Sequence, residues 1–234
     1  MKVGTGVLIG STFLLEWKNG YFKKWFSSVG KISWKFYAKR FVLILILTAF
    51  TFLGDSPVRF WLAKETPFLN RLTEFGSLLG KGTNCWTFLA AVYLLSYVIP
   101  YLKRKIIFGA MEASFLTAAL VTGLKFVFLR ARPVTEIGPF SFFNWKGLIH
   151  DDSAFQSFPS GDVAVVAGAA FFLFLTVRRP PLVRWLFLFL PILTAVARIY
   201  LDRHWLSDCS FSLGIGFLLA HWVWARQNLA ESLN

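Results

Sequence analysis

The sequence predicts an all-α integral membrane protein built as a six-transmembrane-helix bundle, and three observations support this fold class. Of the 234 residues, 56% are hydrophobic and 18% aromatic, and the mean hydropathy is +0.58, too apolar for a soluble domain of ordinary charge content. Several apolar runs approach the roughly 20 residues that a helix needs to cross a bilayer. Basic and polar segments separate the runs, as expected for loops at the two membrane surfaces.

Six apolar runs are assigned as spans. In chain order they are Phe36–Leu53, Asn84–Pro100, Ile106–Phe128, Ser160–Val177, Val183–Tyr200 and Trp205–Ala225. Several are short or carry a charge near one end, so their boundaries are set only to within a few residues. Residues 36–234 are therefore predicted to form one membrane domain.

Residues 1–35 are predicted to lie on the cytoplasmic membrane surface. The stretch YFKKWFSSVGKISWKFYAKR interleaves lysine with aromatic residues, as in a helix that rests on anionic lipid. For the short apolar run Val3–Leu15, an additional span or a cleaved signal is the alternative. We interpret the net charge of +13 as contact with lipid headgroups. Nucleic acid is the weaker interpretation, because the charge is distributed among membrane loops and no nucleic-acid motif occurs.

The distribution of charge predicts the orientation. Six spans place both termini on one face, where more than half of the 25 lysines and arginines fall, whereas most of the 12 acidic residues fall on the other face. By the positive-inside rule the termini are cytoplasmic, and the opposite face is extracytoplasmic.

Polar residues from distant parts of the sequence converge at the extracytoplasmic ends of the third to sixth predicted spans. The third span ends in KFVFLRARP, the fourth begins with PSGD, and the turn between the fifth and sixth reads ARIYLDRHWLSD. Ionisable groups at membrane depth are costly and are candidates for function. The candidate site comprises Lys125, Arg132, Ser160, Gly161, Asp162, Arg198, His204 and Asp208.

These residue types favour phosphate chemistry. Lys125, Arg132 and Arg198 supply cationic donors that match phosphate oxygens. Ser160 and Gly161 come just before the fourth span, where free backbone N–H groups and the helix dipole favour an anion.

His204 and Asp208 are four residues apart and share a helix face. The carboxylate is therefore expected to hold the imidazole N–H and fix its tautomer. An imidazole so oriented is a nucleophile or a base.

The three segments resemble the signature of the type-2 phosphatidic acid phosphatase superfamily of membrane lipid phosphatases, which is related to vanadium-dependent haloperoxidases. That signature is Lys, six residues, Arg-Pro; then Pro-Ser-Gly-His; then Ser-Arg, five residues, His, three residues, Asp. Lys125 to Pro133 match its first part, and Arg198, His204 and Asp208 match the spacing of its third part. Together the segments are specific, although each alone is weak.

The resemblance implies a role for each site residue. His204 attacks phosphorus and forms a phosphohistidine, Asp208 orients His204, and no metal or cofactor takes part. The phosphoryl oxygens are held electrostatically by Lys125, Arg132, Ser160, Gly161 and Arg198.

Two positions depart from the family pattern. Ala197 stands where the family has serine, which we interpret as a minor change. Asp162 stands where the family has the histidine that protonates the leaving oxygen. A carboxyl group in the first turn of a helix and near three cations should stay ionised and be a poor acid. Either Asp162 is protonated when substrate binds, or the leaving group departs with little help; a plain helix-stabilising role is the remaining alternative.

The resemblance is closest in character to bacterial lipid A phosphatases. It implies a multi-pass protein of the bacterial inner membrane whose site faces the periplasm, with a phosphorylated membrane lipid as its substrate and the 1- or 4′-phosphate of lipid A as the preferred target. Undecaprenyl pyrophosphate and phosphatidylglycerol phosphate are alternatives, and an inactive headgroup-binding or transport protein is the alternative from another class. The oligomeric state stays open.

The remaining polar residues are expected to be structural. Arg130, Arg203 and Lys146 have no motif support and are predicted to snorkel or to be solvated. Glu112 is predicted to make a polar contact between helices. His150 and His221 are predicted to be structural, and Cys85 and Cys209 form neither a disulfide framework nor a metal motif.

Overall fold

The computed structural model describes residues 33–62, 66–99, 101–145, 153–178 and 180–231, and within these ranges the chain is helical without strands. This confirms the all-α class, while the predicted surface segment 1–32 lies outside the described residues. The helices are α1 Trp34–Phe52, α2 Asp55–Leu62, α3 Pro67–Gly80, α4 Gly82–Leu95, α5 Arg104–Phe128, α6 Gly161–Thr176, α7 Pro181–Tyr200 and α8 Leu206–Glu231, with 3-10 turns at Pro133–Thr135 and Ser153–Phe155.

Each predicted span coincides with a helix, but the helices differ in their fitness to cross a membrane. By length and composition the segments Arg104–Thr135, Pro181–Tyr200 and Leu206–Asn228 qualify. Helices α1 and α2 qualify only as a pair that bends by 58°, and α4 and α6 are apolar but short. Three to four spans are thus supported among the described residues, and the count of six stays a prediction.

Helix α6 lies at the centre of the bundle, packed against α5, α7 and α8. Its small residues permit a close approach: a Cβ on Gly168 would lie 2.6 Å from the carbonyl oxygen of Ala113, and one on Gly216 would lie 2.5 Å from the Cβ of Ala167. Such contacts are typical of helices that associate within lipid. They hold the middle of α6 tightly against α5 and α8.

Helices α2 and α3 occupy the segment that the sequence assigned to a loop. Thr66 caps α3 by accepting a hydrogen bond from the backbone N–H of Leu69 at 3.2 Å, and Pro67 takes the first helical position, as helix N-termini prefer. Helix α3 packs on α7, where a Cβ on Gly76 would lie 2.9 Å from the Cβ of Ala197. Ala197 therefore faces α3, a position where the close helix contact favours a small apolar side chain.

Candidate active site

His204 occupies the turn between α7 and α8, and its side chain is almost completely buried, with the residue 3% exposed. Its Nδ1 atom lies 2.8 Å from the backbone carbonyl oxygen of Ser157. A carbonyl oxygen only accepts, so Nδ1 carries the proton and Nε2 keeps its lone pair. Asp208 Oδ2 lies farther from Nδ1, at 3.5 Å. The shorter contact of the imidazole is thus with Ser157, a residue that the sequence did not single out.

The surroundings of His204 favour its neutral form. Burial lowers the pKa of His204 from its ordinary value of 6.5, Asp208 opposes this effect, and the positive charges of Lys125 and Arg132 add to it. A neutral imidazole with a free Nε2 is the form that acts as a nucleophile.

Asp208 is fully buried and is held by several donors. Its Oδ2 atom accepts hydrogen bonds from the hydroxyl of Ser157 at 2.5 Å and from the backbone N–H of Trp205 at 2.8 Å. Its Oδ1 atom accepts from the guanidinium of Arg130. Charge-assisted bonds of this kind fix both the ionisation and the direction of a carboxylate.

Arg130 contradicts the prediction that it snorkels or is solvated, because it is 0% exposed. Besides Asp208, it donates to Asp55 at 2.6 Å, to the hydroxyl of Ser207 at 2.7 Å and to the carbonyl of Pro139. Its partner Asp55 lies in α2, far from the recognised motifs in sequence. The spacing of Arg130 and Asp55 in the sequence does not indicate that they form a pair.

The predicted phosphate-binding residues converge around His204. Arg132 lies within electrostatic range of Asp162, Asp208 and Arg198, and Lys125 is close to Arg132. Among the described residues, some buried polar atoms have no hydrogen-bond partner, and these include Nε of Arg132, Nε of Arg198 and Oγ of Ser160. Buried polar groups are normally hydrogen-bonded, so these atoms of the predicted phosphate-binding residues have capacity left for a ligand. The neighbour of the Ser160 hydroxyl is the Cys209 thiol, a weak hydrogen-bonding group.

The N-terminus of α6 borders this site. A Cβ on Gly161 would lie 3.5 Å from Nζ of Lys125. Glycine therefore keeps the space between the helix N-terminus and the ammonium open, and both groups attract an anion.

Asp162 is partly exposed, with 35% of its side chain accessible, and both of its carboxylate oxygens are engaged. Oδ1 accepts a hydrogen bond from the backbone N–H of Gly82 at 3.1 Å. Oδ2 lies 3.2 Å from Nε of Arg198, an ion pair without the geometry of a hydrogen bond. Asp162 thus connects the N-terminus of α4 to Arg198, one of the predicted phosphate-binding residues.

The other polar residues that the sequence analysis considered are exposed, fall outside the described residues or have structural partners. Arg203 is exposed, consistent with a solvated charge, and Lys146 and His150 lie outside the described residues. Glu112 pairs with Arg226 between α5 and α8, the inter-helix contact that was predicted, and His221 Nδ1 lies 3.0 Å from the hydroxyl of Tyr37. Cys85 and Cys209 are free thiols, and the described part of the chain contains no cluster of metal-ligating side chains.

Comparisons with known proteins agree with this architecture. The model of the PAP2 superfamily matches residues 106–231. The crystal structure of Aquifex aeolicus LpxE is similar with a TM-score of 0.55 at 20% identity, covering 72% of this chain and 93% of that chain. The first transmembrane PAP2 type phosphatidylglycerolphosphate phosphatase from Bacillus subtilis is similar with a TM-score of 0.58 at 18% identity, covering 85% and 97%. No curated protein sequence matches this chain significantly.

Proposed function

Because this chain belongs to the PAP2 superfamily, we propose that it is a membrane lipid phosphatase that works through a phosphohistidine on His204. One observation carries the proposal. The Nδ1 atom of a buried imidazole is held by a carbonyl oxygen at 2.8 Å, while cationic side chains with unsatisfied donors surround it. Nucleophile and phosphate-binding groups are therefore arranged before substrate arrives.

The proposed reaction has two steps. In the first, Nε2 of His204 attacks phosphorus, an N–P bond forms, and the P–O bond to the lipid breaks with its electron pair on the leaving oxygen, which takes a proton from solvent after departure. In the second, water attacks phosphorus, the N–P bond breaks with its electron pair returning to the imidazole, and inorganic phosphate leaves with the proton of the water passing to solvent. Lys125, Arg132 and Arg198 neutralise charge on the phosphoryl oxygens in both steps, with Ser160 and the backbone at Gly161 as further donors.

Asp162 is proposed to position Arg198 and not to act as a general acid. One of its oxygens accepts a hydrogen bond from the backbone N–H of Gly82 and the other pairs with Arg198, so both oxygens are already occupied in holding neighbouring groups. A leaving group then has to depart without protonation. This favours leaving oxygens of low basicity, such as that of an anomeric sugar phosphate or a pyrophosphate.

The proposed substrate is accordingly lipid A, with its anomeric 1-phosphate preferred over the 4′-phosphate. Undecaprenyl pyrophosphate is the alternative, because its leaving group is a phosphate oxygen of low basicity, whereas phosphatidylglycerol phosphate would have to release a more basic alkoxide. The site would face the periplasm from a bacterial inner membrane. Residues 36–234 would form the catalytic membrane domain, and residues 1–35 would rest on the cytoplasmic surface.

A substrate panel tests this proposal. Purified protein in detergent is given lipid A, undecaprenyl pyrophosphate, phosphatidylglycerol phosphate and phosphatidic acid, beside the His204→Ala variant. We expect phosphate release from the first two lipids, lost in the variant. No release from any lipid would contradict the enzymatic function and favour an inactive headgroup-binding protein.

The role of Asp162 is tested with aryl and alkyl phosphates that span a range of leaving-group basicity. Wild type should show a steep decline in rate as basicity rises. Asp162→His should flatten that decline by supplying an acid, and Asp162→Asn should keep it steep while weakening phosphate binding. A shallow dependence in wild type that becomes steep in Asp162→Asn would show that Asp162 is an acid after all.

A further inference from the structure

We propose that Arg130 and Asp55 are positioning residues for the nucleophile, acting on His204 through the carboxylate of Asp208. This inference rests on the proposed function, because it assigns these residues to the chemistry of His204. Asp55 lies outside the motif segments, and Arg130 occupies one of the six unspecified positions between Lys125 and Arg132. Arg130 lies just beyond α5, and Asp55 begins α2.

The geometry makes Arg130 a bridge between two buried carboxylates. Its NH1 atom donates to Asp208 Oδ1 and its NH2 atom donates to Asp55 Oδ2 at 2.6 Å. Asp55 is held in turn by Ser207, whose backbone N–H donates at 2.8 Å and whose hydroxyl donates at 2.7 Å. Two donors of one guanidinium fork thus fix two elements, the start of α2 and the first turn of α8.

Aromatic rings enclose the guanidinium of Arg130. Its central carbon lies 4.7 Å from the ring centroid of Phe52 and 4.9 Å from that of Phe142, distances typical of cation–π contacts. The Trp205 indole also faces it and donates to the carbonyl of Ala131 at 2.8 Å. Because water is excluded, the charge of Arg130 acts on Asp208 with little screening.

The arrangement also sets the charge that His204 experiences. Asp55, Arg130 and Asp208 together carry one net negative charge, and Asp208 is the member next to the imidazole. The other charged groups that act on His204 are Lys125 from α5 and Arg132 from the following loop, with Arg203 adjacent in the chain. A guanidinium shared between two carboxylates neutralises Asp208 only in part.

This predicts opposite effects for two variants. In Asp55→Asn the positive charge of Arg130 is balanced by Asp208 alone. The negative field at His204 therefore weakens, and the pKa of His204 falls by about one pH unit. In Arg130→Met that field strengthens and the pKa of His204 rises by a similar amount. Arg130→Lys keeps the charge without the fork, so it should leave this pKa near that of wild type and lower kcat roughly tenfold by loosening Asp208.

The experiment is a ¹⁵N-histidine NMR titration of the full chain in detergent, combined with pH profiles of kcat. The chain has three histidines, and the signal of His204 is identified by its loss in His204→Ala. Arg226→Met is the matched control, because Arg226 is also a buried arginine paired with a carboxylate between α5 and α8, and it should leave the titration of His204 unchanged. Thermal unfolding reports the structural cost of every variant.

Shifts of opposite sign in Asp55→Asn and Arg130→Met support the proposal. If both variants lose thermal stability as Arg226→Met does while the titration of His204 stays at its wild-type position, the network is purely structural and the proposal is wrong. Should Arg130→Met fail to fold, the downward shift in Asp55→Asn and the kcat of Arg130→Lys decide the question. The titration does not depend on turnover, so an inactive wild type would contradict the proposed function and leave this test intact.

Discussion

Both ends of the α5–α8 helix pair carry a buried arginine that is paired with a carboxylate, but the surroundings of the two arginines differ. At one end, the half-buried Glu112 and the buried Arg226 form an ion pair between the helices. At the other, Arg130 is balanced against Asp208 and Asp55. The first pair stabilises the helix contact. At the second, the carboxylate of Asp208 faces His204, and Lys125 and Arg132 act on the same imidazole, which separates a packing contact from the candidate active site.

The largest effect is expected for His204→Ala. Removing the nucleophile should lower kcat by about a thousandfold or more, because the remaining cations bind phosphate without attacking it. Phosphate release from the best substrate of the panel measures this loss. The variant should still bind orthovanadate or phosphate, and retention of more than a tenth of the wild-type kcat would exclude His204 as the nucleophile.

Replacing a phosphate-binding arginine should have the next largest effect. Arg132→Ala or Arg198→Ala should each lower kcat/KM by about 10²- to 10³-fold, as for the loss of one oxyanion donor. Arg203→Ala, which removes an exposed arginine nearby, is the matched control and should change kcat/KM far less. Equal losses of kcat/KM in all three variants would indicate a general electrostatic effect and would contradict specific phosphate binding by Arg132 and Arg198.

The acid limb of the pH profile of kcat/KM should lie below pH 6.5. Because burial holds the pKa of His204 below its ordinary value of 6.5, the imidazole stays neutral as the pH falls through 6.5, and kcat/KM should decline only below that point. The substrate phosphate titrates near pH 6, so two substrates with different second phosphate pKa values are compared. A decline common to both belongs to the enzyme, and one centred above 6.5 would contradict the lowered pKa.

The smallest effect on activity is expected for the pair Glu112 and Arg226. Arg226→Met removes the ion pair with the half-buried Glu112 and should cost about 2 kcal/mol of stability, while kcat stays within about twofold of wild type. Thermal unfolding and phosphate release measure the two quantities. Arg226→Met combined with Glu112→Gln should recover part of the lost stability, and a large fall in kcat would mean that the two ends are coupled.

The sequence predicted those helices that each correspond to one apolar run. Helix α6 was recognised from a continuous apolar stretch even though it is only 16 residues long, because every face of it is buried. The motif residues were found because Lys125, Arg132 and the pair His204 and Asp208 keep fixed spacings. The number of spans does not follow from hydropathy alone, because hydropathy does not reveal the bend that separates α1 from α2.

The parts that sequence reasoning missed depend on tertiary contacts. Arg130 resembles a surface arginine at the end of a helix, and only the folded chain shows Asp55 and the rings that enclose it. Helix α3 has an ordinary N-cap signal at Thr66 and Pro67, yet its short, mixed sequence was assigned to a loop. Ser157 contacts the imidazole through its backbone oxygen, a contribution that its side chain does not indicate.

The most direct test of the account is the position of the phosphoryl group on the enzyme. The Ser157 carbonyl holds Nδ1 of His204, so phosphate from a ³²P-labelled substrate should be trapped by alkaline quench as a phosphohistidine bonded through Nε2. Mass spectrometry locates the modified residue, and ³¹P NMR of the denatured protein distinguishes the two ring isomers. The account predicts labelled Nε2 of His204, absent in His204→Ala; label on Nδ1, or equal labelling of the variant, would contradict it.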